Sequence, residues 1–296
     1  MPVNSESLEL SESPPESIWS RVWLRLQQNR AALVSMSLIV IIIVSALLGP
    51  MFSSFTIEDI DYEAIALAPS ISNGHLFGTD SLGRDLFVRT MEGSRISLLI
   101  GVVATLVSLV IGIHYGAVAG YYGGRVDAVM MRFVDILYSM PFMFFVILLM
   151  VFFGRNIYLI FIAIGAINWL DIARIVRGQT LSLKQQGYVE AAKIYGASHW
   201  QIIRRHIIPN LIGIVIVYIT LTIPQVILVE SFLSFLGLGI QEPMTSLGAL
   251  VSEGAEEMES SSWMLFFPAI FLSLLLFCFN FIGDGLRDAI DPKQVN

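Results

Sequence analysis

The chain has 296 residues, of which 55 % are hydrophobic and only 14 % charged, with a mean hydropathy of +0.74; soluble domains carry about 25 % charged residues. That balance excludes an ordinary soluble protein, and the net charge of −7 is not evidence of a basic ligand, because the placement of the charges matters more than their sum. One cysteine, Cys278, rules out a disulfide framework, and His75, His114, His199 and His206 are too scattered for metal-ligand spacing.

A hydrocarbon layer of ~30 Å needs about 20 apolar residues per helix. Residues 1–20 are rich in Ser, Glu and Pro and are expected not to fold. The first apolar run follows Arg21, Arg25 and Arg30 and predicts a helix over 31–52, an uncleaved anchor rather than a signal peptide. In "GTDSLGRDLFVRTMEGSRISL", acidic and basic residues interleave, and Asp85 and Arg89 stand at i,i+4 spacing. This reads as an external amphipathic helix leading into the second span; a solvated connector explains the same pattern, and periodicity does not choose between them.

Further spans are predicted over 97–120, 136–154, 157–174, 208–235 and 263–282, six in all. The apolar stretch 156–170 is short and draws Asp171 to the membrane boundary, where an ion pair with Arg174, one turn on, accounts for it. His114 in "GIHYG" is read as a hydrogen-bonded packing residue, with a proton relay as the alternative. Glu230 is twenty-one residues beyond Pro209, ~32 Å along a helix. It is read as a boundary carboxylate with water access, or as a group lining or gating a path.

Six spans put both termini on one side. With the N-terminus cytoplasmic, thirteen Lys and Arg lie inside, Lys293 among them, against Arg84, Arg89, Arg95 and Arg155 outside. The 236–262 loop has no Lys or Arg and is placed outside. No lysine is followed by Ser or Thr, so no Walker A loop exists to cradle nucleotide phosphates, and neither H-E-x-x-H nor G-x-S-x-G occurs. No internal or inverted repeat suggests a secondary transporter.

The segment "GYVEAAKIYGASHWQIIRRHIIPN" interrupts the apolar pattern with a polar, basic block. Tyr188, Ala191, Ala192 and Tyr195 form one face of a short helix. Gly196 suits a left-handed C-cap, and Ser198 with Gln201 makes a capping box for a second helix carrying Arg204 and Arg205. Pro209 then opens the fifth span. The charge count puts this corner in the cytoplasm. Docking against a partner, oriented by Glu190, and resting on anionic lipid are both open at this point.

Glu190-Ala191-Ala192, Gly196 and Pro209 resemble the EAA loop of ABC importer permeases, with His206 and Ile208 departing from the usual Ile and Leu. "FGTDSLGRDLFVR", "GYYGGRVDAVMMRFVDILYSMPF", "SFLSFLGLGIQEP" and "FNFIGDGLRDAIDP" resemble the C-type membrane subunit of dipeptide and oligopeptide importers, with Leu247 where Trp is frequent. "RIVRGQTLSLK" and "PFMFFVILL" look most like the oligopeptide type. The resemblance implies an all-α polytopic protein of the type I ABC importer permease fold in a bacterial inner membrane, with no enzymatic activity. Its parts are a cytoplasmic tail (1–30), a first helix (31–54), an external loop (55–95), a core (96–284, EAA loop 187–209) and a C-terminal cytoplasmic tail (285–296). It also implies a B-type permease partner, two ATPases holding Mg-ATP, an external peptide-binding protein, and no cofactor on this chain. Glu190 would anchor ATPase docking, Ala191 and Ala192 would allow close approach, and Gly196 would make the corner. Glu230, Phe235 and Gln241 stand as candidates for lining or gating the pathway, and the 237–253 loop would face the binding protein. Dipeptides, nickel, glutathione or antimicrobial peptides are alternative cargoes. A stand-alone carrier or channel, or a membrane scaffold, are readings of another class.

Overall fold

The computed structural model describes residues 18–154 and 157–290, and among these every regular element is helical. The acidic stretch up to residue 17, Arg155, and the tail residues from 291, Lys293 among them, lie outside the described residues.

Helix α1 (Ile18–Gln28) begins inside the segment expected to be unfolded, and α2 (Arg30–Phe52) follows after one residue. That residue, Asn29, caps α2 by accepting the Ala32 N–H at 3.2 Å. Val22 and Leu26 of α1 are buried near the far end of α11 (Trp263–Ile290), where a Cβ on Gly285 would stand 2.7 Å from Ala32 and 3.2 Å from Leu26. Residues 18–28, which fall within the region predicted as a tail, therefore pack onto the fold through their apolar face.

α3 (Leu86–Tyr122) runs for 37 residues, capped by Asp85, whose carboxylate accepts the Val88 N–H at 2.8 Å. At ~1.5 Å per residue this is ~55 Å, well beyond the hydrocarbon thickness. The helix predicted to be external and the predicted second span are one continuous helix. The segment before it is folded rather than a solvated connector: Phe77 stacks on Phe267 of α11 at 4.1 Å and Trp263 Nε1 donates to the Thr79 carbonyl at 3.2 Å.

The predicted third span, 136–154, is not a single rod. α4 (Gly124–Ser139) and α5 (Phe142–Phe153) are set at 82° to each other. Met140 is extended (φ −75°, ψ 135°) because the ring of Pro141 excludes the helical region for the residue before it. α5 has 12 residues, about 18 Å of helix, which alone does not cross a bilayer.

α6 (Ile157–Leu183) extends past the predicted 157–174 and makes the most extensive helix pairing among the described residues, with α3. The reason is a ridge of small residues on α3: Ala104, Ser108, Gly112, Gly116 and Gly120 recur every four positions and all are buried. Ser108 Oγ donates to the Gly165 carbonyl of α6 at 3.1 Å. Small residues let two backbones approach, the principal source of packing energy where lipid offers no hydrophobic contrast.

α7 (Gly187–Ile194) and α8 (His199–Ile202) form the predicted corner, but α8 is not a separate short helix. It continues through a π-turn (Ile203–Ile207) into α9 (Ile208–Phe235), giving one continuous helix of 37 residues from His199. Pro209 has no N–H and its ring crowds the carbonyl four residues back, and the wider turn just before it takes up that crowding.

A short helix, α10 (Leu247–Glu256), lies within the 236–262 loop, started by Ser246, whose hydroxyl accepts the Ala249 N–H. Among the described residues, four helices (α2, α3, α8–α9 and α11) are long and apolar enough to cross a membrane, and the bent α4–α5 pair makes five if counted as one span. An apolar cluster of Ile100, Ala104, Val146, Ile164, Val226 and Leu233 fills the centre. A second cluster, with Leu109, Ile172, Val176, Val189, Ile202, Ile203 and Ile207, runs from α3 and α6 into the polar block.

Candidate functional site

The corner between α7 and α8 is built as its residues dictate. Gly196 sits at φ +80°, the left-handed region that side chains avoid. The Ala197 N–H reaches back to the Ala192 carbonyl and the Gly196 N–H to Lys193, both at 3.0 Å, closing α7 with a Schellman motif. Immediately after, the Ser198 hydroxyl accepts the Gln201 N–H at 3.3 Å while Gln201 Oε1 accepts the Ser198 N–H at 2.9 Å. Both ends of the corner thus satisfy their own backbone groups.

α7 divides its surface differently from the predicted face. Val189 is fully buried, and Ala192 and Ala197 pack against the same cluster. Ala192 therefore brings α7 close to the chain's own core. The opposite side presents Glu190, Tyr188, Ile194 and Tyr195, the last two 84 % and 90 % exposed, and Trp200 continues this apolar surface beyond the corner. Glu190 stands in the first turn of α7, where the helix dipole favours a carboxylate. The Tyr121 hydroxyl lies 2.9 Å from His199 Nδ1 and ties the corner to the end of α3. Of the two departures from the EAA pattern, His206 lies near Tyr188, ring centroids 6.4 Å apart, and Ile208 packs on the buried cluster.

At the other end of the molecule, Asp80, Arg84, Arg89, Glu242 and Glu253 form one ionic cluster. Asp80 Oδ2 accepts from Arg84 Nε at 2.7 Å and Arg89 Nη1 at 2.5 Å, while Arg84 reaches Glu242 and Arg89 reaches Glu253, each at 2.7 Å. Asp80 and Arg89 are almost completely buried. The expected Asp85–Arg89 pair does not form, because Asp85 caps α3 and holds buried His75 through Nδ1 at 2.8 Å. Spacing along the chain singles out neither Glu242 nor Glu253. The signal that could have found them is complementary charge: arginines flank the start of α3, and the glutamates lie in a loop that lacks any cation.

Glu230 is fully buried, and this corrects the reading of it as a boundary carboxylate with water access or a pathway-lining group. Its carboxylate accepts from Ser246 at 2.6 Å, Ser234 at 2.8 Å and Ser97 at 3.4 Å, while Ser97 Oγ in turn accepts the Leu247 N–H at 3.0 Å. It is a knot joining α3, α9 and α10. Glu230→Ala leaves three buried hydroxyls without their acceptor and is expected to destabilise the subunit by at least about 2 kcal/mol, whereas Glu230→Gln keeps an acceptor oxygen and most of the stability. Thermal unfolding of the purified protein in detergent checks this; equal midpoints for Glu230→Ala and wild type would refute it.

Phe235 is exposed at the end of α9, and Gln241 donates to the Gly239 carbonyl at 3.1 Å. His114 bonds the Val110 carbonyl of its own helix at 2.7 Å but is exposed, so it is hydrogen-bonded without being packed. Asp171 and Arg174 do not pair: Arg174 Nη2 instead reaches Asp135 of α4 at 2.8 Å.

Residues 112–296 match the family described as the binding-protein-dependent transport system inner membrane component. The chain belongs to that family. Residues 17–69 also match the N-terminal transmembrane domain of oligopeptide transport permease C. The chain is 56 % identical to the oligopeptide transport system permease protein OppC of Haemophilus influenzae, covering 98 % of this chain and 93 % of that one. It is equally similar, 56 % over 98 % of both chains, to OppC of Escherichia coli K12. The dipeptide transport system permease protein DppC of Bacillus subtilis is 46 % identical, over 95 % of this chain and 87 % of its own. Membership makes this protein a membrane transport subunit rather than an enzyme.

Proposed function

We propose that the chain is the permease subunit of an ATP-driven importer that moves oligopeptides into the cytoplasm of a bacterium. The observation that carries the cargo is the 56 % identity, over nearly the whole chain, to two permeases named for oligopeptide transport; the dipeptide permease of Bacillus subtilis and a glutathione permease stand lower, at 46 % and 36 %. In this reading the chain crosses the inner membrane six times, with α6 and the bent α4–α5 pair supplying two crossings. Both termini and the α7–α8 corner face the cytoplasm, in keeping with the asymmetry of Lys and Arg.

The chain pairs with a related B-type permease. Two ATPases, holding Mg-ATP, meet the exposed side of α7, where Glu190 orients the contact and Tyr188, Ile194 and Tyr195 supply apolar area. Ala191 and Ala192 keep the helix thin, and Gly196 turns it. Because α8 runs unbroken into α9, a push on the corner travels along a rigid helix into the membrane. On the outside, α10, the end of α9 with Phe235 and the loop carrying Gln241 form the mouth that meets a peptide-binding protein.

Reconstitution tests this. Vesicles holding the permease pair, both ATPases and the loaded binding protein are expected to accumulate a radiolabelled tripeptide only when ATP is supplied. Equal uptake by this chain alone, without ATPases, would establish a stand-alone carrier or channel instead.

A further inference from the structure

The end of α3 meets the corner through side-chain contacts, because the chain itself turns away there: Gly123 and Gly124, at φ +67° and +54°, lead into α4. Tyr121, in the last turn of α3, touches both arms of the corner. Its ring is buried in the apolar cluster that holds Val189 of α7 and Ile202 of α8. Its hydroxyl lies 2.9 Å from Nδ1 of His199, the first residue of α8. The Lys193 ammonium of α7 stands 5.6 Å from the ring centre, within cation–π range. One residue back, the Gly120 carbonyl accepts from Lys184 Nζ at 2.8 Å, which fastens the chain just past α6 to the same place.

Apolar burial holds two surfaces together without direction. A hydrogen bond tolerates only a narrow range of length and angle, and so fixes register. The bond between Tyr121 and His199 therefore sets where α8 sits on α3. α3 is in turn locked to α6, where a Cβ on Gly112, Gly116 or Gly120 would come within 3.0 Å of α6 atoms. A shift of the corner reaches that helix pair through Tyr121.

We propose that Tyr121 is a positioning residue for transport: through His199 it makes α3 and α6 follow the corner when the ATPases move it. The proposal rests on the importer reading, in which α8 and α9 already carry part of that motion. Without the bond the corner still pushes α9, but α3 and α6 lag behind, and the helices do not reach their second arrangement together. The side of α7 that presents Glu190, Ile194 and Tyr195 keeps its surface, so the ATPases still dock and turn over. Hydrolysis then runs with less peptide moved.

The test uses the complete importer in vesicles with the loaded binding protein, and reads tripeptide uptake and ATP hydrolysis together. Tyr121→Phe keeps the ring and its packing and removes only the hydroxyl. It is expected to lower uptake about fivefold, the size of one lost hydrogen bond, while stimulated hydrolysis persists, so that more ATP is hydrolysed per peptide. His199→Ala is expected to do the same, and the double variant to be no worse than either single one, because each loses the same bond. His199→Asn places an amide where Nδ1 stood, able to donate or accept, and is expected to recover most of the coupling. A merely structural role would lower uptake and hydrolysis in step with the amount of subunit, leaving ATP per peptide unchanged. That result, wild-type uptake by Tyr121→Phe, additive losses in the double variant, or no recovery by His199→Asn would each overturn the assignment. Absence of ATP-dependent peptide uptake by the wild-type complex would instead overturn the importer reading, and this inference with it.

Discussion

Replacing Gly116 with leucine is expected to prevent α3 and α6 from packing and to leave little folded subunit in the membrane. A Cβ at Gly116 would stand 2.4 Å from the Ala173 carbonyl oxygen, 2.9 Å from Val176 Cβ and 3.0 Å from the Arg177 nitrogen. Two of these three atoms are backbone, so no rotamer change relieves the clash. α6 cannot retreat either, because Ile172 and Val176 are committed to the buried cluster that also holds Val189 and Ile203. Overpacking a close interface costs about 1–3 kcal/mol even where neighbours yield; with a backbone obstacle the loss is expected at or above the top of that range. Gly178 supplies the control. It lies on α6, and a Cβ added there would meet no atom within 4 Å, so Gly178→Ala is expected to be neutral or to stabilise by up to about 1 kcal/mol through helix propensity. Size-exclusion profiles and unfolding midpoints of the two variants decide the matter. Equal behaviour would mean that α3 and α6 do not meet along this ridge.

Combining Glu190→Lys with Gly196→Asp is expected to abolish ATP-dependent peptide uptake while the subunit still reaches the membrane. Lysine at 190 reverses the charge at the start of α7, and aspartate at 196 must adopt φ +80°. That backbone costs a non-glycine residue about 1–2 kcal/mol and loosens the corner. Neither side chain belongs to the buried clusters that hold α7 to the core, so folding is spared. Loss of coupling is expected to cut uptake by about a hundredfold, the upper range of a typical coupling energy. Uptake in reconstituted vesicles and the amount of subunit in the membrane fraction are the two measurements. Undiminished uptake would sink the docking role given to this corner.

The corner is also the most legible part of the chain. A glycine after a short amphipathic run, followed at once by a capping box, specifies helix, turn and helix through contacts no more than five residues apart, and those contacts form. The split of its surface is less legible. Tyr188, Ala191, Ala192 and Tyr195 share a period, but period alone does not say which side meets the core, and Val189 with Ala192 takes that side.

Charge pairing escapes the spacing rule wherever the true partner lies on another element. Asp85 with Arg89, and Asp171 with Arg174, satisfy helical spacing, yet Asp80, Glu253 and Asp135 win the arginines. In an apolar setting an arginine goes to the carboxylate that completes its hydrogen bonds with least solvent loss, which no spacing rule encodes. Glu230 is partly the same lesson: Ser234 stands one turn on along α9, but Ser97 and Ser246, which complete its hydrogen bonds, come from other segments.

By itself, the sequence determined what depends on composition and on neighbours along the chain: an apolar helical membrane protein, the polar corner with its caps, the absence of a nucleotide loop, and the transporter family. Only the tertiary structure decided the rest. It fused helices that the apolar runs had separated and bent one that they had joined. It set the glycine ridge of α3 against α6, buried Glu230 and seated the corner on Tyr121. The physical reason is range. Caps and apolar periods are satisfied within a turn or two, whereas ion pairs, close backbone approach and burial are settled by whichever distant segment packs alongside.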